Sequence, residues 1–111
     1  MEHCRPEINV CYSKENIKLI KYIKAGIEEE GLFTHCYEVL EDNSIKLAYE
    51  ASKSSLLGVG ISVIKQEAVL HIYDLKEDKP IYIINVDNNE KLKILGSNAA
   101  RYVKRIAFKE L

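Results

Sequence analysis

The stretch Leu56-Leu-Gly-Val-Gly-Ile-Ser-Val-Ile64 is the most apolar part of the chain. It has the length of a β-strand, and apolar residues occupy both its odd and its even positions, so both faces of that strand are expected to be buried. A strand that is apolar on both faces belongs in the middle of a sheet. The segments on either side of this stretch therefore decide what the rest of the sheet looks like.

On the C-terminal side, the polar pair Lys65-Gln66 forms a tight break before another strand pattern. Such a break predicts an antiparallel hairpin. A charged loop closed by Pro80 and a turn at 87–89 separate the elements that follow. These are strands over 68–73 and 81–86 and a last helical region over about 90–106, with an expected interruption near Gly96-Ser97-Asn98.

On the N-terminal side, strands and helices alternate. Residues 7–12 read as a strand with Ile8, Val10 and Tyr12 on one face, and Ser13 is a candidate N-cap for the helix that follows. The pattern then predicts a helix over 15–30, a strand over 32–39 and a helix over 44–54.

The predicted order is β-α-β-α-β-β-β-α. Alternating strands and helices imply parallel right-handed crossovers, and the later hairpin inserts one antiparallel strand. The expected fold class is therefore α/β, a three-layer α/β/α sandwich around a mixed five-stranded sheet. With 111 residues the chain fits a single domain, 1–111, and residues 1–6 are expected to form a flexible N-terminus.

Composition narrows the function classes. The formal net charge of −1 argues against nucleic acid as the main partner. No apolar run approaches the roughly 20 residues that span a bilayer, and the first residues do not resemble a signal peptide. The cysteines Cys4, Cys11 and Cys36 are odd in number and lack metal-site spacing. A reducing cytoplasm is the expected setting.

Cys11 is the main candidate for chemistry, because it falls where the first strand meets the first helix and a helix N-terminus lowers a thiol pKa. Phosphocysteine domains and small tyrosine phosphatases place a cysteine there. Residues 11–16 contain no glycine, however, and no arginine follows to bind phosphate. Alternation along the strand places Cys11 opposite Val10, so a buried structural cysteine is the favoured interpretation.

The other candidates favour packing over catalysis. Gly58-x-Gly60 lies inside a strand, which predicts close approach of a neighbouring helix or chain and not a nucleotide loop. His35 and His71 lie on strands and are expected to be packed, and His3 falls in the flexible terminus. No nucleophile–base–acid set emerges, so a binding or assembly role is favoured.

The segment Gly26-Ile-Glu-Glu-Glu-Gly31 is the most unusual, because three glutamates stand at the negative end of a helix dipole. Glu29 lies roughly 200° around the helix from Ile27 and points away from the core, while Glu28 and Glu30 are expected to reach water. Two interpretations stay open: a carboxylate offered to a cation or basic partner, or a solvated acidic face. In the second, the offsetting charges would come from Lys14, Lys18, Lys21 and Lys24. The core stripe of this helix is predicted to comprise Ile17, Ile20, Ile23 and Ile27.

The C-terminal region combines small residues with bases. Ala99 and Ala100 permit tight helix packing, and Lys104 and Arg105 suit the end of a helix dipole. A favourable terminal turn accounts for most of this pattern.

Four segments together carry a resemblance to a known family. They are Gly26–Gly31, Ala51–Ile61, Leu70-His71 with Pro80, and Gly96–Leu111. In this order they resemble the small subunit of the diol/glycerol dehydratase reactivases, which is related to the dehydratase medium subunit. Arg105 and Ala107 depart from the glycine and proline typical of the family at those positions.

The resemblance implies a non-catalytic assembly protein. Its expected partner is a large subunit with a chaperone-type ATPase core that binds ATP or ADP, in a complex of two large and two small chains. Such a complex contacts the dehydratase transiently, by subunit exchange, and releases damaged cobalamin. The resemblance also implies that Glu29 is a single ligand for Mg²⁺ (or Ca²⁺) at the interface with the large subunit, in keeping with the affinity of hard cations for carboxylates.

Two alternatives remain at this stage: the medium subunit of a cobalamin-dependent dehydratase, and a cysteine phosphocarrier or phosphatase using Cys11. An exposed interface would also let the isolated chain form a homodimer. The cytoplasmic setting could include a bacterial microcompartment.

Overall fold

The apolar stretch forms the central strand of a five-stranded sheet. A computed structural model describes residues 5–111, and every residue of the central strand is buried. The strand order is β2-β1-β3-β4-β5. The strands are β1 (Glu7–Tyr12), β2 (Phe33–Glu38), β3 (Val59–Ile64), β4 (Glu67–Ile72) and β5 (Tyr82–Asn85).

The strand directions match the prediction of a mixed sheet with one antiparallel strand. β1 runs parallel to both β2 and β3, and β4 runs antiparallel to both β3 and β5. Residues Lys65 and Gln66 connect β3 to β4, as expected for a hairpin, and Lys65 has a positive φ of 54°.

Helices cover both faces, which confirms the three-layer α/β/α arrangement. The helices α1 (Ile20–Glu29) and α3 (Asn89–Lys104) lie on one face, and α2 (Ser44–Ser54) lies on the other. Ile8 and Val10 are buried on the α1/α3 face, and Tyr12 packs against them. These are the three β1 residues that were predicted to share one face. Cys11 faces α2 instead, packing with Leu47, Ala51 and Ile64.

Glycines allow the helices to approach the neighbouring backbone. A Cβ on Gly26 would lie 2.0 Å from the carbonyl oxygen of Lys93, and one on Gly96 would lie 2.2 Å from that of Ile23. On the other face, a Cβ on Gly60 would lie 2.3 Å from the amide nitrogen of Ser52 in α2. The expectation of close helix approach is confirmed for Gly60. It is wrong for Gly58, which precedes β3 with φ +74° and has the Tyr73 ring where a Cβ would lie.

The first helix differs from the prediction at its N-terminal end. Residues Lys14–Leu19 form a 3₁₀ helix, and Ile17, which was predicted to face the core, is 55% exposed. A 3₁₀ helix has about 3.0 residues per turn instead of 3.6, so the α-helical stripe does not extend through it. Asn16 points inward instead, and its amide donates to the carbonyl oxygens of Val63 and Lys65.

Ser13 occupies the N-cap position, but its side chain caps nothing in the 3₁₀ helix. Its hydroxyl oxygen accepts a hydrogen bond from the backbone N–H of Lys65, 3.1 Å away. By contrast, Asn43 and Asn88 cap α2 and α3, each accepting a bond from a backbone N–H three residues on.

The expected interruption of the last helix is wrong. α3 runs unbroken through Gly96-Ser97-Asn98 and ends at Lys104. These three residues are buried, because they face α1 and the C-terminal residues at close range. Arg105 follows in the left-handed conformation, with φ 61°.

Residues 1–4 are outside the described part of the chain, and so are the expectations for His3 and Cys4 and most of the flexible terminus predicted for 1–6. Within residues 5–111, no helix combines the length and the apolar character that crossing a membrane requires.

Candidate functional site

The glutamates at the end of α1 lie in a cluster of charges formed with α3 and the C-terminal residues. Their positive neighbours are not the lysines of the first helical region, as the solvated-face interpretation expected, apart from a Lys24–Glu28 contact at 4.0 Å. We call the following residues the charged cluster: Glu29, Glu30, Lys93, Arg101, Lys104 and Lys109.

Glu30 is the enclosed carboxylate of the charged cluster. Only 9% of its side chain is exposed, so the expectation that it reaches water is wrong. Arg101 Nε donates to Glu30 Oε2 and Lys104 Nζ to Oε1, both at 2.9 Å, and Lys104 Nζ also donates to the backbone oxygen of Glu30. The hydrogen bonds from Lys104 and Arg101 lower the pKa of Glu30.

Glu29 is the accessible carboxylate of the charged cluster. Its side chain is 46% exposed and points away from the core, as the helical wheel predicts. Its Oε1 lies 3.3 Å from Lys109 Nζ and 3.3 Å from Ser97 Oγ, while its Oε2 lies 3.7 Å from Lys93 Nζ. The hydrogen bond and charge of Lys109, followed by the charge of Lys93, lower the pKa of Glu29.

The C-terminal residues 105–111, which we call the tail, fold back along α3. The side chain of Asn98, which is fully buried, donates to Lys109 O at 3.0 Å and accepts from Lys109 N at 2.7 Å. Arg101 Nη1 donates to the carbonyl oxygen of Ala107 at 3.0 Å. These bonds fix the backbone of the tail, so that Lys109 lies beside Glu29.

A groove lined mainly by aromatic and aliphatic side chains lies beside the tail. Its volume is about 520 Å³, and Phe108, the neighbour of Lys109, lines it. Phe108 also packs against Tyr82, with ring centroids 5.7 Å apart. Contiguous exposed apolar side chains are typical of interaction surfaces. We call this the aromatic groove; it is lined by Leu57, Tyr73, Asp74, Tyr102, Val103, Arg105, Ile106 and Phe108.

The described surroundings of Glu29 contain one accessible carboxylate and no complete set of metal ligands. Within the described residues, no group of three or more His, Cys, Asp or Glu side chains could hold a metal ion. Glu29 does offer a half-exposed carboxylate, but the ammonium groups of Lys93 and Lys109 already contact its oxygens, so a divalent cation would have to displace Lys109 to bind there. A cation bound here would find one carboxylate on this chain, and its remaining ligands would have to come from elsewhere.

Cys11 is a buried structural residue, as the sequence indicated. Its side chain is fully enclosed against α2, and burial raises the pKa of its thiol to about 12. A thiol in that state is not a nucleophile at neutral pH. The second alternative, a phosphocarrier or phosphatase, therefore lacks its reactive group.

The two described histidines differ. His71 is fully buried, as expected, and its Nε2 lies 2.9 Å from the carbonyl oxygen of Glu77. His35 is exposed on β2 beside Tyr37, with ring centroids 5.3 Å apart, so the expectation that it is packed is wrong. β2 is an edge strand, and α2 packs mainly over β3, β4 and β1.

The basic partners of the glutamates were not predicted from the sequence. A signal was present, since positions 93, 97, 101 and 104 recur at intervals of four, four and three, which places them on one side of a helix. The side chains there are Lys, Ser, Arg and Lys. Lys109 had no comparable signal, because its place depends on the fold of the tail.

The chain is similar to known proteins over nearly its whole length. The family model for the dehydratase medium subunit matches residues 5–109. A propanediol dehydratase-reactivating factor small subunit of Salmonella typhimurium is 29% identical over 110 residues, covering 98% of this chain and 95% of the relative. A protein of the same description from Citrobacter freundii is 35% identical over 86 residues, covering 77% of this chain and 74% of the relative.

A solved structure shows the same fold. One chain of a diol dehydratase-reactivating factor complexed with ADP and Mg²⁺ superposes with a TM-score of 0.90 and 28% identity, covering 96% of this chain and 99% of that chain. Fold, family model and relatives agree with the resemblance drawn from the four sequence segments. The chain belongs to the dehydratase medium subunit family and, within it, to the small subunits of dehydratase-reactivating factors.

Proposed function

We propose that this chain is the small subunit of a diol or glycerol dehydratase reactivase and works as the partner of a large subunit. The proposal is supported by relatives described as small subunits, one of which matches 98% of this chain and another 77%. In this role the chain binds and exchanges between complexes and performs no chemistry itself. The large subunit, with its ATP or ADP, drives release of damaged cobalamin from the dehydratase.

The complex we propose contains two large and two small chains and contacts the dehydratase transiently. It would operate in the cytoplasm, the setting that the cysteine pattern favours. When the large subunit is absent, the uncovered interface would permit a homodimer. The small subunit would then dissociate from its own copy before it pairs with the large subunit.

We place the interface at the charged cluster, the tail and the aromatic groove. The observation that carries this choice is Glu29: it is half-exposed and points outward at the edge of a cluster whose other carboxylate, Glu30, is enclosed by two bases. The aromatic groove continues the same surface through Phe108 and Lys109. Together they offer an apolar area and one charged anchor, the usual composition of a specific interface.

At this interface Glu29 would be a single ligand for Mg²⁺ or Ca²⁺, with the remaining ligands supplied by the large subunit. A bound cation would neutralise the carboxylate and hold the two chains in register. Glu30 has a different role, because Arg101 and Lys104 already satisfy both of its oxygens and tie α1 to α3.

The test is light scattering on this chain co-expressed with a candidate reactivase large subunit in Mg²⁺. A stable mixed complex is expected, and Glu29→Ala should weaken it. Glu28→Ala is the matched control, since Glu28 is the exposed neighbour in the same helical turn and its carboxylate lies 4.0 Å from Lys24, outside the charged cluster. If Glu29→Ala and Glu28→Ala behave alike, the metal-ligand role is wrong although the family assignment stands.

The alternative of a dehydratase medium subunit has a distinct outcome in the same experiment. If the chain does not bind the reactivase large subunit but binds a dehydratase large subunit tightly, it is a medium subunit. Cys11→Ser is a nearly isosteric change and should leave complex formation unaltered whichever large subunit is the partner. If Cys11→Ser abolished complex formation, the thiol would have to be part of the mechanism.

A further inference from the structure

The ammonium group of Lys109, which belongs to the same chain, already contacts the Glu29 carboxylate. Its Nζ lies 3.3 Å from Glu29 Oε1 and 3.4 Å from Ser97 Oγ. Lys93 contacts the other oxygen from a greater distance, 3.7 Å. Any cation that binds Glu29 must therefore compete with an ammonium group that is already there.

Contacts other than the salt bridge hold the backbone of Lys109 in place. The buried Asn98 side chain forms two hydrogen bonds with the backbone of Lys109, in the same donor–acceptor pattern as a pair of bridged β-residues. Leu111 packs against the main apolar cluster two residues further on. The Cα of Lys109 is thus held in place while its side chain, which is 35% exposed, remains able to rotate.

This combination is typical of a displaceable competitor. An ion pair between exposed side chains is weak, because water screens the charges and both chains lose rotamer freedom. A divalent cation with further ligands from a partner attracts the carboxylate more strongly. Lys109 can then swing away without any rearrangement of the backbone that Asn98 holds.

We propose that Lys109 is an autoinhibitory counter-ion of Glu29, positioned by Asn98, which keeps the carboxylate neutralised until the large subunit and its divalent cation displace it. This inference rests on the proposed role of Glu29 as a metal ligand. The device would discourage the free small subunit from binding stray cations or basic surfaces. It would also make pairing with the large subunit depend on the divalent cation concentration.

The experiment measures binding of the small subunit to the immobilised large subunit over a series of Mg²⁺ concentrations. Lys109→Met removes the ammonium and keeps the apolar stem and the backbone bonds to Asn98. We expect the Mg²⁺ concentration for half-maximal binding to fall about two- to fivefold, the range that corresponds to a weak exposed ion pair. Lys109→Arg should stay close to the wild type.

Two further variants separate charge from position. Lys91→Met removes an exposed lysine on α3 outside the charged cluster and should leave the Mg²⁺ dependence unchanged. Asn98→Ala frees the tail and should act like Lys109→Met. Should this variant fold poorly, Lys109→Met alone decides the question, since its side chain is partly exposed and its backbone bonds remain.

The outcomes distinguish this inference from the proposed function. If Glu29→Gln weakens binding while Lys109→Met leaves the Mg²⁺ dependence at the wild-type value, Glu29 is a ligand and Lys109 is no competitor. If Lys109→Met weakens binding, the lysine is itself a contact with the large subunit and the inference is overturned. If Glu29→Gln has no effect on binding, both the metal-ligand role and the competition fail.

Discussion

The two faces of the sheet are held by different interactions. The α1/α3 face buries a broad apolar cluster that includes Ile61, Leu70 and Leu95, all without solvent exposure. The α2 face has a much smaller apolar cluster, and buried polar side chains complete it. There, Asn9 donates to the carbonyl oxygen of Ala51 and Ser62 to that of Ser44.

The contrast shows where a partner can be accommodated. The apolar face derives its stability from buried area, which is non-directional, so its edge can carry charges and a tail without disturbing the core. The α2 face depends on hydrogen bonds with fixed geometry, which leave less freedom for exchangeable contacts. The charged cluster and aromatic groove lie, accordingly, at the end of the α1/α3 layer.

The largest effect should come from truncating the apolar core. Leu95→Ala on the α1/α3 face should lower the free energy of unfolding by about 3–4 kcal/mol, and Leu47→Ala on the α2 face by about 2–3 kcal/mol. The reason is that Leu95 is fully enclosed within the larger cluster while Leu47 borders the smaller one. Urea denaturation measures both, and equal costs would contradict the proposed difference between the faces.

The next effect concerns the backbone contact between α1 and α3. Gly96→Ala should cost about 2–3 kcal/mol, because the new methyl group would collide with the carbonyl of Ile23. Gly31→Ala is the control for backbone conformation alone, since φ is +86° there and nothing lies within 4 Å of the added Cβ. Its cost should be about 1–2 kcal/mol. A Gly96→Ala protein as stable as the wild type would show that the helices can separate freely.

A smaller loss should follow from removing one hydrogen bond on the α2 face. Ser62→Ala deletes a donor 2.7 Å from the carbonyl oxygen of Ser44, in a fully buried site, and should cost about 1–2 kcal/mol. Ser54→Ala is a milder variant on the same face, because Ser54 is exposed and its hydroxyl donates to backbone carbonyls and accepts from Asn9. Thermal unfolding should rank Ser62→Ala below Ser54→Ala in stability; the reverse order would argue against polar support of this face.

The smallest effect should be a change in acid sensitivity. Because the pKa of Glu30 is lowered in the folded chain, its pairing contributes stability above the unfolded value, about 4.3, and that contribution is lost as the pH falls through the lowered pKa. Glu30→Gln should therefore be less stable than the wild type at neutral pH and lose less stability on acidification below about pH 4.3. Unfolding curves measured from pH 3 to pH 7 (roughly the range in which carboxylates titrate) check the slope. Parallel curves for the two proteins would contradict the pairing of Glu30 with Arg101 and Lys104.

The sheet could be predicted from the sequence because each strand shows its burial locally. The apolar run at 56–64 and the alternation around Val10 depend only on neighbours along the chain. The 3₁₀ segment was missed because Ile17 continues an α-helical stripe, and only the inward hydrogen bonds of Asn16 reveal the different turn. Arg105 likewise gave no local sign of its left-handed conformation, which favours glycine.

The charged cluster was only half predictable. The outward direction of Glu29 follows from helix geometry and is confirmed. The enclosure of Glu30 does not follow from it, since Arg101 and Lys104 are 71 and 74 residues away along the chain. Gly96, Ser97 and Asn98 resemble a helix break because their helix propensities are low. Their contacts with α1 and the tail, which keep the helix intact, cannot be inferred from propensity.

Amide hydrogen exchange on the chain, alone and with the large subunit in Mg²⁺, tests most directly where the partner binds. We expect added protection at the end of α1 and at the end of α3 with the tail, around residues 26–31 and 97–111. We expect little change in β2 or in α2 (Ser44–Ser54) on the other face. Protection confined to β2 and α2, with the tail unchanged, would contradict the placement of the interface.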